Sequence, residues 1–166
     1  MIRFSKEARR LSALDWTKGV EAVNKFSDGF AVLVVTQSAL DELNSRLTSQ
    51  GHEPVSMSRF RPNIVLKQLE AHTEDHLGEL MIQTNQGSAQ LHLVKPCPRC
   101  AIPDINPETA ISSPEVNDTL RLYRTLARVD GAICFGMNGI VHAGIGQTLA
   151  VAVSYTHLRA HETGRN

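Results

Sequence analysis

Charge of one sign, long apolar runs, aromatic residues and paired cysteines are all scarce in this chain of 166 residues. Lys and Arg together number 17, as do Asp and Glu, so the formal net charge is zero. No global field therefore draws the chain to nucleic acid or to an anionic membrane. No apolar run approaches the roughly 20 residues that a membrane-spanning helix needs. Residues 1–10 carry charges without a long apolar stretch behind them, so they do not form a secretory signal. The cysteines number three, an odd count that argues against a disulfide framework and for a reducing compartment, the cytoplasm. What is present is ordinary for a globular protein: 42% hydrophobic and 20% charged residues, enough for one domain with a sizeable core.

The run FAVLVVT, residues 30–36, is rich in β-branched residues and predicts a buried strand. Ser38 follows as an N-cap with Asp41 as its capping-box partner. Leu40, Leu43 and Leu47 recur at helical spacing, and Gly51 supplies the stop. Short strands are expected at residues 64–69, 79–83 and 89–95, separated by Gly78, Asn85 and Gly87. Four prolines between residues 97 and 114 predict a loop. A helix is expected over 119–128, with Leu120, Tyr123, Leu126 and Ala127 on one face, then three short strands at 131–136, 139–144 and 147–153. Many short strands with flanking helices make the fold α+β, mostly β, a barrel or a strongly curved sheet. The last thirteen residues, SYTHLRAHETGRN, lack this texture. They read as a non-native or disordered tail, and His157 and His161 receive no functional weight.

Three groups of residues carry chemistry. In Cys97-Pro98-Arg99-Cys100, a guanidinium beside a cysteine favours the thiolate, the form that ligates soft metals. The same residues with Cys134 and His142 offer a Cys₃His set for structural zinc, and two inert buried cysteines remain a fair competitor. In Arg59-Phe60-Arg61-Pro62-Asn63, two arginines at i and i+2 share one side of an extended chain, and Pro62 biases Arg61 toward that geometry. Such a pair recognises phosphate, with Asn63 adding a donor and an acceptor; a surface salt-bridge pair is the bland reading. At the start of the first long helix, free N–H groups flanked by Thr36 and Ser38 offer an anion site, although capping alone explains Ser38.

SRFRPNIVL (58–66), GEL (78–80), KPCPRC (95–100) and the later Phe135-Gly136 occur together in an order that resembles the MOSC domain. That domain is named for the C-terminal part of molybdenum-cofactor sulfurase. The resemblance covers residues 26–153 and is nearest to the YcbX-like proteins and the amidoxime-reducing components. It implies a molybdopterin-type cofactor whose molybdenum is held by one protein cysteine, and reduction of N-hydroxylated small molecules. By position, Cys100 matches the ligand, with Cys97 as a neighbour or second ligand. Arg61 and Asn63 match residues that contact the pterin and its phosphate. Arg59 and Arg99 join them in holding the anion, and Thr36 and Ser38 lie on the cofactor-facing loop. No pattern of four spaced cysteines for an iron–sulfur cluster is present, so electrons would come from a separate donor protein. Residues 1–25 would be part of an N-terminal region or linker, the chain beginning mid-protein and being inactive as a reductase by itself. A sulfur- or cofactor-carrier module without reductase activity is the other class that the resemblance allows.

Overall fold

A computed structural model describes residues 9–25 and 27–151, and the backbone of 155–160. The described residues divide into two compact units, one drawn from Met1–Val32, His76–Lys95 and Asn138–Asn166, the other from Leu33–Asp75 and Pro96–Met137. The secondary structure is α+β and mostly β, as the sequence pattern predicts.

In the first unit, β1 (Arg10–Leu11) and β2 (Val23–Asn24) pair antiparallel around the short helix α1 (Leu14–Thr17). Ala22, Phe30 and Ile140 are buried there, with Trp16 and Val94 packed against them. The second unit opens with β3 (Val32–Thr36), which leads directly into α2 (Gln37–Ser49) and returns to β4 (Ile64–Leu66). β3 and β4 run parallel, with Val35 opposite Val65, and parallel neighbours require a crossover such as α2. The stop at Gly51 is a Schellman motif. Gly51 has φ 83°, the His52 N–H donates to the Leu47 carbonyl at 2.9 Å, and the Gly51 N–H donates to that of Thr48 at 3.0 Å. Ala39, Leu40, Leu43 and Leu47 of α2 are buried in a core with Val35, Phe60, Val116, Leu120 and Phe135. At its centre Phe60 and Phe135 stack with ring centroids 4.0 Å apart.

Two long strands follow. β5 (Leu77–Thr84) and β6 (Gly87–Pro98) form an antiparallel hairpin closed by Asn85 and Gln86. Along β6 the alternate residues Ala89, Leu91 and Leu93 are buried, the period-2 pattern of a strand with one covered face. α3 (Glu115–Arg121) leads to β7 (Thr125–Leu126) and β8 (Ala132–Ala143). In the first unit the sheet order is β8, β6, β5 and then β9 (Tyr155–Ala160); in the second it is β4, β3, β8. β9 pairs antiparallel with β5, with Leu80 opposite Leu158. The remainder of the terminal segment, 152–154 and 161–166, lies outside the described residues.

Four local expectations are corrected. The N-cap of α2 is Thr36, not Ser38, and Asp41 accepts a hydrogen bond from Gln37 Nε2 at 2.9 Å instead of closing a capping box. Cys97 lies in the last residues of β6, not in a loop. The helix expected over 119–128 occupies Glu115–Arg121. Val116 and Leu120, both fully buried, set its inner face, while Leu122 is 75% exposed. The two strands expected at 131–136 and 139–144 are one strand, and residues 147–150 form none. Gly136 does not end β8 but lets it pass close to β3. Its φ is 80°, and a Cβ there would lie 2.6 Å from Val35 Cγ2 and 2.7 Å from the Val34 carbonyl oxygen.

Candidate functional site

The second unit contains all the residues of the two sequence segments that resemble a cofactor site. At the end of β6, the Arg99 N–H donates to the Ile133 carbonyl at 2.8 Å, holding the chain against β8. The Arg99 guanidinium then joins the segments: Nη1 donates to Cys97 Sγ and Nη2 to the Phe60 carbonyl, each at 3.2 Å. Its carbon lies 5.6 Å from the Phe60 ring centroid, within cation–π range. Nε of Arg99 is buried without a hydrogen-bond partner among the described residues. The residue on the Arg99 guanidinium is thus Cys97, which is half-buried, while Cys100 is exposed. The Cys100 carbonyl accepts a hydrogen bond from Asn117 Nδ2 at 2.9 Å.

The arginine segment is not extended. Met57–Arg59 is a turn of 3₁₀ helix, and Arg61 sits in the left-handed region at φ 53°, its N–H donating to the Ser58 carbonyl at 3.2 Å. A proline disfavours helical geometry in the residue before it, and non-glycine residues rarely take positive φ. Tertiary hydrogen bonds on both sides of Arg61 override that local preference. Arg59 Nη1 donates to the Pro103 carbonyl at 3.1 Å, a second tie to the cysteine loop. Asn63 is bound twice to Leu33: its N–H donates to the Leu33 carbonyl at 2.9 Å, and its Oδ1 accepts from the Leu33 N–H at 2.8 Å. The Arg61 side chain is exposed and makes no hydrogen bond or ion pair among the described residues.

Thr36 is fully buried. Its N–H donates to Glu74 Oε1 at 3.2 Å, and its hydroxyl oxygen accepts from the His72 N–H at 3.3 Å. The Ser38 hydroxyl donates to the Leu69 carbonyl at 2.7 Å. Both hydroxyls are therefore engaged within the protein. Cys134 is buried, and burial pushes its thiol up to about 11, so it stays a protonated core residue at neutral pH. His142 belongs to the first unit, where its ring stacks on His92 with centroids 4.1 Å apart. Among the described residues no group of three or more His, Cys, Asp and Glu side chains is placed to hold a metal ion. Within the second unit, Cys97, Cys100 and Cys134 are thus not assembled as a set of metal ligands.

Sequence reasoning missed the buried charged residues of the second unit. Glu74 and Asp75 look like surface residues of a polar turn, yet both are buried, as is Arg124. Arg124 Nη2 pairs with Asp75 Oδ2 at 2.7 Å, and its Nε donates to the Cys134 carbonyl at 3.1 Å. Burial, then the charge of Arg124, pushes the His72 imidazole from 6.5 down to about 4. As the pH falls from 6.5 toward 4, the unfolded chain takes up a proton that folded His72 refuses. Its contribution is therefore lost as the pH falls, by up to about 1.4 kcal/mol per pH unit in that window. Burial raises Glu74 above its ordinary 4.5, which has the opposite slope, so the contribution of His72 is read by difference. The urea midpoint of the wild type is expected to fall relative to that of His72→Phe between pH 7 and pH 5. Parallel pH profiles of the two proteins would contradict the assignment.

Asp104 and Asn117, also missed, form a clamp behind Cys100. Asp104 Oδ1 accepts from the Asn117 N–H at 2.9 Å and Oδ2 from Asn117 Nδ2 at 2.8 Å. No local pattern announces a pair 13 residues apart.

The arrangement joins a thiol-bearing loop to an arginine-bearing loop, and the profile of the MOSC domain family matches residues 21–153. The chain belongs to the MOSC domain family, a domain associated with molybdenum-cofactor proteins. Mitochondrial amidoxime-reducing component 1 of Mus musculus is 34% identical over 120 residues, covering 72% of this chain and 32% of the mouse protein. The human component 1 is 35% identical over 100 residues, covering 60% of this chain and 27% of that protein. The chain thus spans about a third of the length of the curated relatives it matches. YiiM from Geobacillus stearothermophilus is similar in structure with a TM-score of 0.48 and 14% identity, covering 81% of this chain and 57% of that one. Among the described residues, no helix is long and apolar enough to cross a membrane.

Proposed function

We propose that this chain is the molybdenum-cofactor-binding MOSC domain of an oxidoreductase that reduces N-hydroxylated small molecules. The observation that carries the reading is the joining of the PCPRC and RFRPN segments through Arg99, beside an exposed Cys100 thiol. The donor set suits the group. A thiolate is a ligand for a soft metal, and Arg61, with no partner among the described residues, is a cation open to a phosphate. The buried and unbonded Nε of Arg99 is a further donor, since a buried donor without a partner is costly unless a ligand completes it.

In this reading Cys100 is the molybdenum ligand, and Cys97, held under Arg99, is its neighbour or second ligand. Arg59, Arg61, Asn63 and Arg99 bind the anionic part of the cofactor. Ser38 contributes through the backbone at the start of α2, because its hydroxyl is already bonded; Thr36, whose N–H and hydroxyl are both engaged with Glu74 and His72, holds that turn in place from the core. The molybdenum cofactor, when bound, supplies the redox chemistry. The net reaction breaks the N–O bond of the substrate, takes up two electrons and two protons, and releases water. A separate electron-donor protein is the partner; neither nucleic acid nor a membrane is required. We place the protein in a reducing compartment, the cytoplasm, because it carries free thiols; the named relatives are mitochondrial.

The test is elemental and pterin analysis of the protein made in a molybdenum-replete host. Molybdenum together with a fluorescent oxidised pterin released by acid is the expected result. Stoichiometric zinc without pterin would overturn the reading. Labile sulfur with neither metal nor pterin would instead support the sulfur-carrier class.

A further inference from the structure

We propose that Asn117 is a positioning residue that fixes the backbone carrying Cys100 and so sets the direction of its thiol; this rests on the reading of Cys100 as the metal ligand. The exposed thiol sits between two anchored points. On one side the Arg99 N–H is bonded to Ile133; on the other the Asp104 N–H is bonded to the Ala101 carbonyl at 3.1 Å. Between them, Cys100 itself is held among the described residues by the hydrogen bond from Asn117 Nδ2 to its carbonyl, at 2.9 Å. The same nitrogen donates to Asp104 Oδ2 at 2.8 Å, so both amide protons are engaged.

This arrangement fixes the orientation of the amide. Asn117 Oδ1 is buried and has no partner among the described residues. Rotating the amide by half a turn would set that oxygen against two acceptors and remove both bonds. Asn117 is itself held from behind. Its N–H donates to Asp104 Oδ1, which caps α3 where Pro114, at the N-cap position, provides no side-chain cap. The Ser113 N–H donates to the Asp104 carbonyl at 3.0 Å. α3 in turn buries Val116 and Leu120 in the core of the second unit. A rigid, core-anchored element thus reaches the exposed thiol loop through one side-chain amide. A ligand must be held within a fraction of an ångström of its working geometry, and its supporting hydrogen bonds provide that.

The experiment compares the full chain with Asn117→Ala and Asn117→Asp. The aspartate is nearly isosteric but turns the shared donor into an acceptor facing two acceptors. Hydrogen exchange at the Arg99 and Asp104 amides in metal-free protein reports the loop independently of any cofactor. The linewidth of the molybdenum(V) electron paramagnetic resonance signal of protein from a molybdenum-replete host reports the ligand geometry. Exchange at these two amides is expected to accelerate about tenfold in Asn117→Ala and more in Asn117→Asp, with α2 amides unchanged. The wild-type signal is expected to broaden in both variants. Unchanged exchange and linewidth in both would overturn the proposal. So would loss of the whole fold in both, which would make Asn117 a support of the core. A wild-type chain without molybdenum, together with the accelerated exchange, would overturn the functional reading and leave the clamp standing.

Discussion

Replacing Cys100 by serine is expected to abolish molybdenum retention, with no measurable metal left on the protein after desalting. A hydroxyl is a harder and far less acidic ligand than a thiol, so a soft metal loses its protein bond. Because Cys100 is exposed, the change removes no core packing, and the melting temperature should stay within a few degrees of wild type. Cys97→Ser should act differently. Cys97 Sγ accepts from Arg99 Nη1 at 3.2 Å, so its loss disturbs a neighbour of the ligand and should weaken retention by roughly tenfold. Metal analysis of the two variants beside wild type decides the matter. Equal and complete loss in both would make both cysteines ligands, and loss in Cys97→Ser alone would show that the assignment is reversed.

Replacing Asp75 by alanine is expected to cost on the order of 3–5 kcal/mol of stability, the usual effect of leaving one buried charge of a pair uncompensated. The Arg124 and Asp75 side chains are 7% and 8% exposed and lie 2.7 Å apart. Asp75 also faces Arg128, whose Nη2 donates to its backbone carbonyl at 3.3 Å and lies 4.0 Å from Oδ1. For a chain of this length the loss corresponds to a fall of roughly ten degrees or more in melting temperature. Urea unfolding of wild type, Asp75→Ala and the double variant Asp75→Leu with Arg124→Met is the check. The double variant removes both charges and should recover most of the loss. A cost below about 1 kcal/mol in Asp75→Ala would mean that water or Arg128 compensates the pair, and that the buried network is not a main support of the second unit.

Much of the framework was legible in the sequence because it rests on local rules. The β-branched run 30–36, the leucines of α2 and the Gly51 stop depend on residues within one or two helical turns of each other. The hairpin of β5 and β6 follows from alternation interrupted by Asn85, Gln86 and Gly87. The errors share a cause. Gly136 looks like a strand break, but close passage against Val34 and Val35 requires it within a continuous strand. Ser38 looks like an N-cap, but the strand already delivers Thr36 to that position, and the Leu69 carbonyl takes the Ser38 hydroxyl.

For the candidate site, the sequence by itself determined the chemical types: a thiol beside a guanidinium, and two arginines flanking Phe60. Composition and motif order suffice for that, because soft-metal and phosphate affinities are properties of the side chains. Which cysteine is exposed, and which arginines are already bonded, only the tertiary structure decided. Arg99 turns to Cys97 and Phe60, Arg59 to Pro103, and Arg61 takes a positive φ that Pro62 disfavours. Likewise, nothing local marks Asp75 and Arg124 as a buried pair 49 residues apart. Hydrogen bonds and burial between residues distant in the chain exist only once the fold has brought them together, so no local periodicity encodes them.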